Sequence, residues 1–228
     1  MRKVAVYGGT KEVYHDMTIA AKSLLRYTPV DKVYFLTEGN FCEELPAKVE
    51  CVDVSGQKYF PADGPNYKGA WTYMTLMRIA LPLLLKEDRV LWLDVDTICL
   101  EDISDLFETD LCGCYVGAVE EPGRSKDPFL YFNAGVLLMD LKKLRPRKAR
   151  EMVDFVNSKK LKFPDQDVIN ILCQGKIKPL PSGWNSCNWT AKDTRARIKH
   201  FAAINDYRNY RLYKENEASE WRSADENN

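Results

Sequence analysis

The sequence predicts an α/β fold, one domain built on a parallel central sheet with helices packed against it. Three observations carry that reading. The chain opens strand, helix, strand, an order that calls for parallel pairing through a right-handed crossover. Val90 to Leu93 is continuously apolar and too short for a free-standing helix, which suits a strand buried on both faces. That run ends abruptly in Asp94 and Asp96, at the carboxyl end of the strand, where open α/β sheets bind their ligands.

Val4 to Tyr7 reads as the first strand, Gly8-Gly9-Thr10 as a tight turn, and Val13 to Tyr27 as a helix by its apolar spacing. Val33 to Leu36 and Val49 to Val54 supply the next strands. A Gly/Pro/Asn-rich loop, Ser55 to Gly69, is placed to lie across the cleft, and a helix runs from Ala70 to about Leu85. In that helix Arg78 falls within the apolar stripe of Met74, Leu81 and Leu85. An arginine held against a core needs an anion: either a structural partner, Asp94 being a candidate, or a bound phosphate or sugar.

Side chains alternate along a strand, so Asp94 and Asp96 are expected on one side with Val95 facing the other. Two acids one pleat apart make a hard-oxygen site for a divalent metal. The plain alternative is a solvated turn with a helix cap. Against it, Val-Leu-Trp-Leu precedes the pair and Ile98 and Leu100 follow, and carboxylates in such a setting need a metal or a partner.

Further on, Ile103 to Phe107 reads as a helical turn, Tyr115 to Val119 as a strand and Glu120 to Asp127 as a polar loop. Tyr131 to Asp140 sets Asn133 against a buried strand, with Gly135 permitting close approach. A helix from about Arg147 to Asn157 follows. Phe163-Pro164-Asp165-Gln166 then opens another, where proline and the acids suit a first turn; capping accounts for Asp165 but not for Gln166. Ile177 to Leu180 is a short strand, Pro181 to Thr190 a loop, and Ile198 to Phe201 an apolar alternation that carries His200. The whole chain, 1–228, reads as one domain, with a charged, Tyr-rich helix and frayed tail from about residue 206.

Composition excludes several classes. Lys plus Arg and Asp plus Glu both number 33, so no general attraction to nucleic acid or anionic lipid is expected. The 7 cysteines are odd in number and scattered, as reduced thiols are; Cys112-Gly-Cys114 lacks the spacer of a zinc or redox motif. The first residues are too short an apolar run for a signal peptide, and no stretch approaches a membrane span. The expected compartment is the cytoplasm, where the sequon Asn188-Trp189-Thr190 stays unused.

Leu91-Trp-Leu-Asp-Val-Asp-Thr97, Tyr131-Phe-Asn-Ala-Gly-Val-Leu-Leu138, Phe163-Pro-Asp-Gln-Asp-Val-Ile-Asn170 and Ile198-Lys-His-Phe201, in that order, make the chain resemble family 8 glycosyltransferases from about Val4 to Phe201. That family includes bacterial lipopolysaccharide galactosyl- and glucosyltransferases and glycogenin. The resemblance implies a GT-A fold, a single Rossmann-like domain with a mostly parallel central sheet flanked by helices, and retaining transfer of a hexose from a UDP-sugar. It makes Asp94, Asp96 and His200 the metal ligands, and the mixed donor set favours Mn2+, with Mg2+ the alternative. It implies that Arg78 reaches the donor, that Asn133, Asp165 and Gln166 line the donor sugar, and that Tyr14 stacks on uracil. Thr10, Val95 and Ala134 complete the donor set, with Gln166, Asp165 and Arg78 the catalytic group.

Two departures stand out. Lys11 occupies the place of the family's base-contacting aspartate, and the lysine that follows the family's histidine has no counterpart, leaving Lys199, Arg208 or Arg211 to hold the diphosphate. These departures keep a weak or inactive sugar-nucleotide-binding relic among the readings. A metal-dependent nucleotidyl or phosphoryl transferase is the other alternative, though no Walker-type loop or Gly-x-Gly-x-x-Gly is present. The acceptor is unidentified. The loops Glu120 to Asp127 and Pro181 to Thr190, with Trp184 and Trp189, are its expected place, and self-glycosylation at Tyr207, Tyr210 or Tyr213 a remote variant.

Overall fold

In a computed structural model, which describes residues 2–41, 44–69, 71–191 and 195–202, nine strands and six helices follow one another. The strands are β1 (Val4–Gly8), β2 (Lys32–Thr37), β3 (Val49–Asp53), β4 (Arg89–Leu93), β5 (Thr97–Cys99), β6 (Val116–Glu120), β7 (Phe132–Asp140), β8 (Ile177–Leu180) and β9 (Ile198–His200). The helices are α1 (Tyr14–Tyr27), α2 (Met77–Leu84), α3 (Ser104–Glu108), α4 (Leu141–Leu144), α5 (Lys148–Ser158) and α6 (Pro164–Leu172).

Seven strands form the central sheet in the order β3-β2-β1-β4-β7-β6-β8. The pairs β1 with β2, β2 with β3, β1 with β4 and β6 with β8 are parallel. Only β7 runs the other way, antiparallel to β4 and to β6. The sheet is therefore mostly parallel, as expected from the strand-helix-strand opening. The reversal of β7 was not legible, because a buried strand has the same apolar run in either direction.

Each side of the sheet has its own core. Val90 and Trp92 of β4 pack with α2, α5 and α6, whereas Leu91 and Leu93 pack with α1 and α3. That double burial is why this strand is apolar without alternation; Val90 to Leu93 are each at most 1% exposed. Removing any one of these side chains would cost about 2–5 kcal/mol.

Two elements differ from expectation. The helix expected from Ala70 begins only at Met77: Thr72 is extended, Tyr73–Thr75 form a 3-10 turn, and Ala70 lies outside the described residues. Aromatic and β-branched residues favour the helix less at that point, and Pro82 inside α2 removes one ladder hydrogen bond. The second difference is a small sheet in which β5 pairs antiparallel with β9, so that Thr97 faces His200. The six described cysteines are free thiols. No helix among the described residues is long and apolar enough to cross a membrane. The tail expected from residue 206, including Tyr207, Arg208, Tyr210, Arg211 and Tyr213, lies outside the described residues.

Candidate active site

Strand β4 stops at Leu93 and the backbone turns. Thr97 donates its N–H to the Asp94 carbonyl at 3.1 Å and its hydroxyl to the same oxygen at 2.6 Å. This corrects the pleat argument: Asp94 and Asp96 converge through a turn after the strand, because Asp96 folds back, and not because they alternate along it. Pairing of β5 with β9 then carries His200 to the same place. One ligand atom from each of Asp94, Asp96 and His200 lies within 4.8 Å of the other two.

His200 Nε2 is 3.3 Å from Asp96 Oδ1 and 3.8 Å from Asp94 Oδ2. Its Nδ1 lies 2.8 Å from Asn185 Oδ1. Asn185, fully buried, donates Nδ2 to Asn133 Oδ1 at 2.7 Å, and that oxygen also accepts the Gly135 N–H at 2.8 Å. With the Asn185 amide set this way, Nδ1 of His200 is a donor and Nε2 faces the acids. Burial opposes a proton on His200, but Asp96, then Cys187 and Asp94, outweigh burial and raise its pKa to about 10. Burial likewise works against the Asp96 carboxylate, and His200 more than compensates, so its pKa is lowered.

The arrangement fits a divalent cation. Adjacent ligands about 2.1 Å from one ion stand roughly 3 Å apart, so separations of 3.3 and 3.8 Å need only a small closure. Two carboxylates and an imidazole suit a first-row divalent metal. Gly135 makes room: a Cβ there would lie 2.1 Å from His200 Cε1.

Arg78 finds its anions within the protein. At 3% exposure it donates from Nη2 to Asp94 Oδ1 at 2.8 Å, its Nε is 3.1 Å from Asp165 Oδ2, and Nη1 donates to the Ala134 carbonyl. Its guanidinium carbon lies 4.8 Å from the centre of the Trp92 ring, and the Trp92 indole N–H donates to Asp94 Oδ1 at 2.9 Å. Burial opposes the Arg78 charge, yet Asp165 and then Asp94 raise its pKa overall. Burial raises the Asp165 pKa, with Arg78 pulling against it.

Gln166 accepts the Ala134 N–H on Oε1 at 2.8 Å and donates Nε2 to Glu121 Oε1 at 3.2 Å. Asn133 donates to that same Glu121 oxygen at 2.7 Å, and the other Glu121 oxygen is 2.6 Å from Arg124 Nε. Glu121 is thus the buried centre on which Asn133, Gln166 and Arg124 meet. Neither Glu121 nor Asn185 was anticipated. Each follows the carboxyl end of a strand parallel to β4, after β6 and β8 respectively, so the rule that drew attention to Asp94 also points at them.

Arg78, Asp94, Asp96, Asn133, Asp165, Gln166 and His200 all line one cleft of about 1000 Å³. Thr10, Tyr14, Val95 and Ala134 are not among its lining residues. Tyr14 is 1% exposed; its ring packs at 4.8 Å against Phe41 and its hydroxyl bridges the backbone N–H and carbonyl of Glu38, so as placed no ring face is open to a base. Ala134 is buried with both backbone groups taken, Thr10 and Val95 are partly exposed, and Lys199 does not line the cleft. Trp184 packs into the core beneath Arg197, whereas Trp189 is 48% exposed in the cleft.

Residues 40–205 match the family model described as "Glycosyl transferase family 8". Lipopolysaccharide 1,2-glucosyltransferase of Escherichia coli (strain K12) is 38% identical over 132 residues, 51% of this chain and 39% of that protein. Glycosyltransferase GlyE of Streptococcus pneumoniae is 27% identical over 198 residues, 81% of this chain and 48% of that protein. The chain thus spans less than half the length of either relative. Among solved structures, galactosyltransferase LgtC in complex with donor and acceptor sugar analogs superposes with a TM-score of 0.68 at 21% identity, covering 88% of this chain and 87% of that one. The structure of GlyE gives 0.67 at 22% identity, covering 90% and 56%. At such identities the likeness concerns the fold, which is the GT-A arrangement.

Proposed function

This chain belongs to glycosyl transferase family 8, and from that premise we propose that it moves a hexose, glucose or galactose, from a UDP-sugar to an acceptor hydroxyl with retention at the anomeric carbon, assisted by Mn2+. The observation that carries the reading is the convergence of Asp94, Asp96 and His200 within 4.8 Å, in the cleft that also holds Arg78, Asp165 and Gln166. A hexosyl donor agrees with two of the similar proteins, the glucosyltransferase of E. coli and the galactosyltransferase LgtC.

Asp94, Asp96 and His200 would hold the ion, and the imidazole among them favours Mn2+ over Mg2+. When bound, it supplies Lewis acidity to the departing diphosphate. Arg78 keeps a fixed positive charge beside Asp94 and Asp165, where negative charge grows on the leaving group, and costs no reorganisation because its partners already hold it. Retention ordinarily calls for a carboxylate nucleophile. Gln166 is an amide fixed at both ends, and Asp165 is paired with Arg78. Both therefore position the sugar, and the acceptor oxygen attacks from the face that UDP leaves, its proton passing to the departing diphosphate. Asp165 as a covalent nucleophile is the alternative route.

The experiment is a panel of nucleotide sugars incubated with the purified chain and Mn2+, with and without EDTA, scored for released nucleotide. Metal-dependent UDP release from one donor is the expected result. Donor binding with neither transfer nor hydrolysis would mark a relic, and release of UMP or pyrophosphate would overturn glycosyl transfer.

A further inference from the structure

At the mouth of the same cleft Trp71 and Trp189 are each 48% exposed, large aromatic surface that a soluble domain does not leave open in one place without use. They belong to one strip. The Trp71 ring centre is 5.7 Å from that of Phe163; Arg124 lies 4.0 Å over Phe163 and 5.8 Å from Trp189. The Trp189 indole N–H donates to the Ala202 carbonyl at 2.6 Å, which pins the ring's polar edge and leaves its apolar face to the cleft.

We propose that the strip Trp71, Phe163, Arg124 and Trp189 is the acceptor subsite, and that the acceptor is an uncharged saccharide offering a flat pyranose face. The inference rests on the transferase reading above, since a donor bound at Asp94 and Asp96 would present its sugar to this strip. Aromatic faces beside fixed polar groups suit a ring with C–H groups on its faces and hydroxyls at its edge. Charge argues for a neutral ligand. Arg124, the cation seated in the strip, stands 2.6 Å from the buried Glu121 carboxylate and stacks on Phe163, so it is already neutralised, and Lys162 lies further out, 5.5 Å from the centre of the same ring.

Indole N–H signals of the 15N-labelled chain test this, because Trp92, bonded to Asp94, reports the donor site while Trp71 and Trp189 report the strip. Signals are assigned by single Trp→Phe variants, and UDP with Mg2+ is added first, then the methyl glycosides of lactose, cellobiose and maltose. The expected result is a Trp92 shift with UDP, followed by Trp71 and Trp189 shifts with a disaccharide. Trp71→Ala or Trp189→Ala should weaken that disaccharide roughly tenfold, with the Trp92 signal as the check on folding. Neither indole moving with any saccharide, or both moving only with glucuronate or a serine-containing peptide, overturns the proposal. A saccharide response at the strip with Trp92 indifferent to UDP leaves the saccharide site standing and sinks the donor reading instead.

Discussion

His200 Nδ1 and Asn185 Oδ1 lie 2.8 Å apart, and this contact decides which ring nitrogen faces Asp94 and Asp96. Such outer partners of a ligating histidine are typically worth 10–100-fold in metal affinity. Asn185→Ala is therefore expected to weaken Mn2+ by roughly that factor, read by calorimetric titration, with near-native circular dichroism. Asn185→Asp keeps the acceptor for His200 but loses the donor to Asn133, and should fall between. Unchanged affinity in both would mean that the imidazole is oriented by something else.

Gly135→Ala tests the space for the ring. The new methyl would meet His200 Cε1 at 2.1 Å and Nδ1 at 2.7 Å, and the ring cannot retreat without breaking the Asn185 bond or leaving Asp96. Overpacking of this kind costs about 1–3 kcal/mol. Urea unfolding should show a loss of that order, and metal affinity should drop with it. Full stability with full metal binding would mean that β7 gives way at little cost.

Arg78 separates charge from geometry. Arg78→Met leaves Asp94 and Asp165 without their shared cation, and removing one partner of a buried pair costs about 3–5 kcal/mol, here toward the lower end since Asp94 is part-exposed. Arg78→Lys keeps the charge but not the fork that serves Asp94, Asp165 and Ala134 together. It should fold, with metal-dependent turnover down by about a hundredfold, or about 2.7 kcal/mol of barrier. Wild-type turnover in the lysine variant would reduce Arg78 to a counter-charge.

Asp96→Ala removes a proposed metal ligand from a turn, outside any strand, so the sheet should survive. The expected outcome is loss of EDTA-sensitive turnover with the native circular dichroism spectrum retained. Persisting metal-dependent activity would place the ion elsewhere.

Much of the candidate site was legible because its residues break local rules. Asp94 and Asp96 interrupt an apolar run, Arg78 sits within an apolar stripe, and Gln166 stands where capping explains only its neighbour. Each anomaly marks a polar group that the fold brings inward. Asn185 and Glu121 break no such rule: an asparagine in a Pro/Gly/Trp loop and a glutamate in a polar loop look solvated until tertiary structure buries them. Turn geometry was equally hidden, since the sequence of Asp94 to Asp96 continues a strand pattern as readily as it ends one. Tyr14 shows the converse, where a family role was visible but the helix turns the ring into the core.

Asp165→Asn distinguishes the two routes to retention. The carboxylate is 3.1 Å from Arg78 Nε, and burial pushes its pKa up while Arg78 holds it down. If Asp165 only positions the sugar, an amide of the same shape keeps part of that contact, and turnover should fall by about ten- to a hundredfold, some 1.4–2.7 kcal/mol, without vanishing. If Asp165 were the nucleophile, the amide could not form the glycosyl ester at all. Intact-mass spectra of the wild-type chain held with donor and Mn2+ complete the test: same-face substitution predicts no added hexose on Asp165, whereas a transient gain of one hexose mass, absent from the asparagine variant, would establish the covalent route.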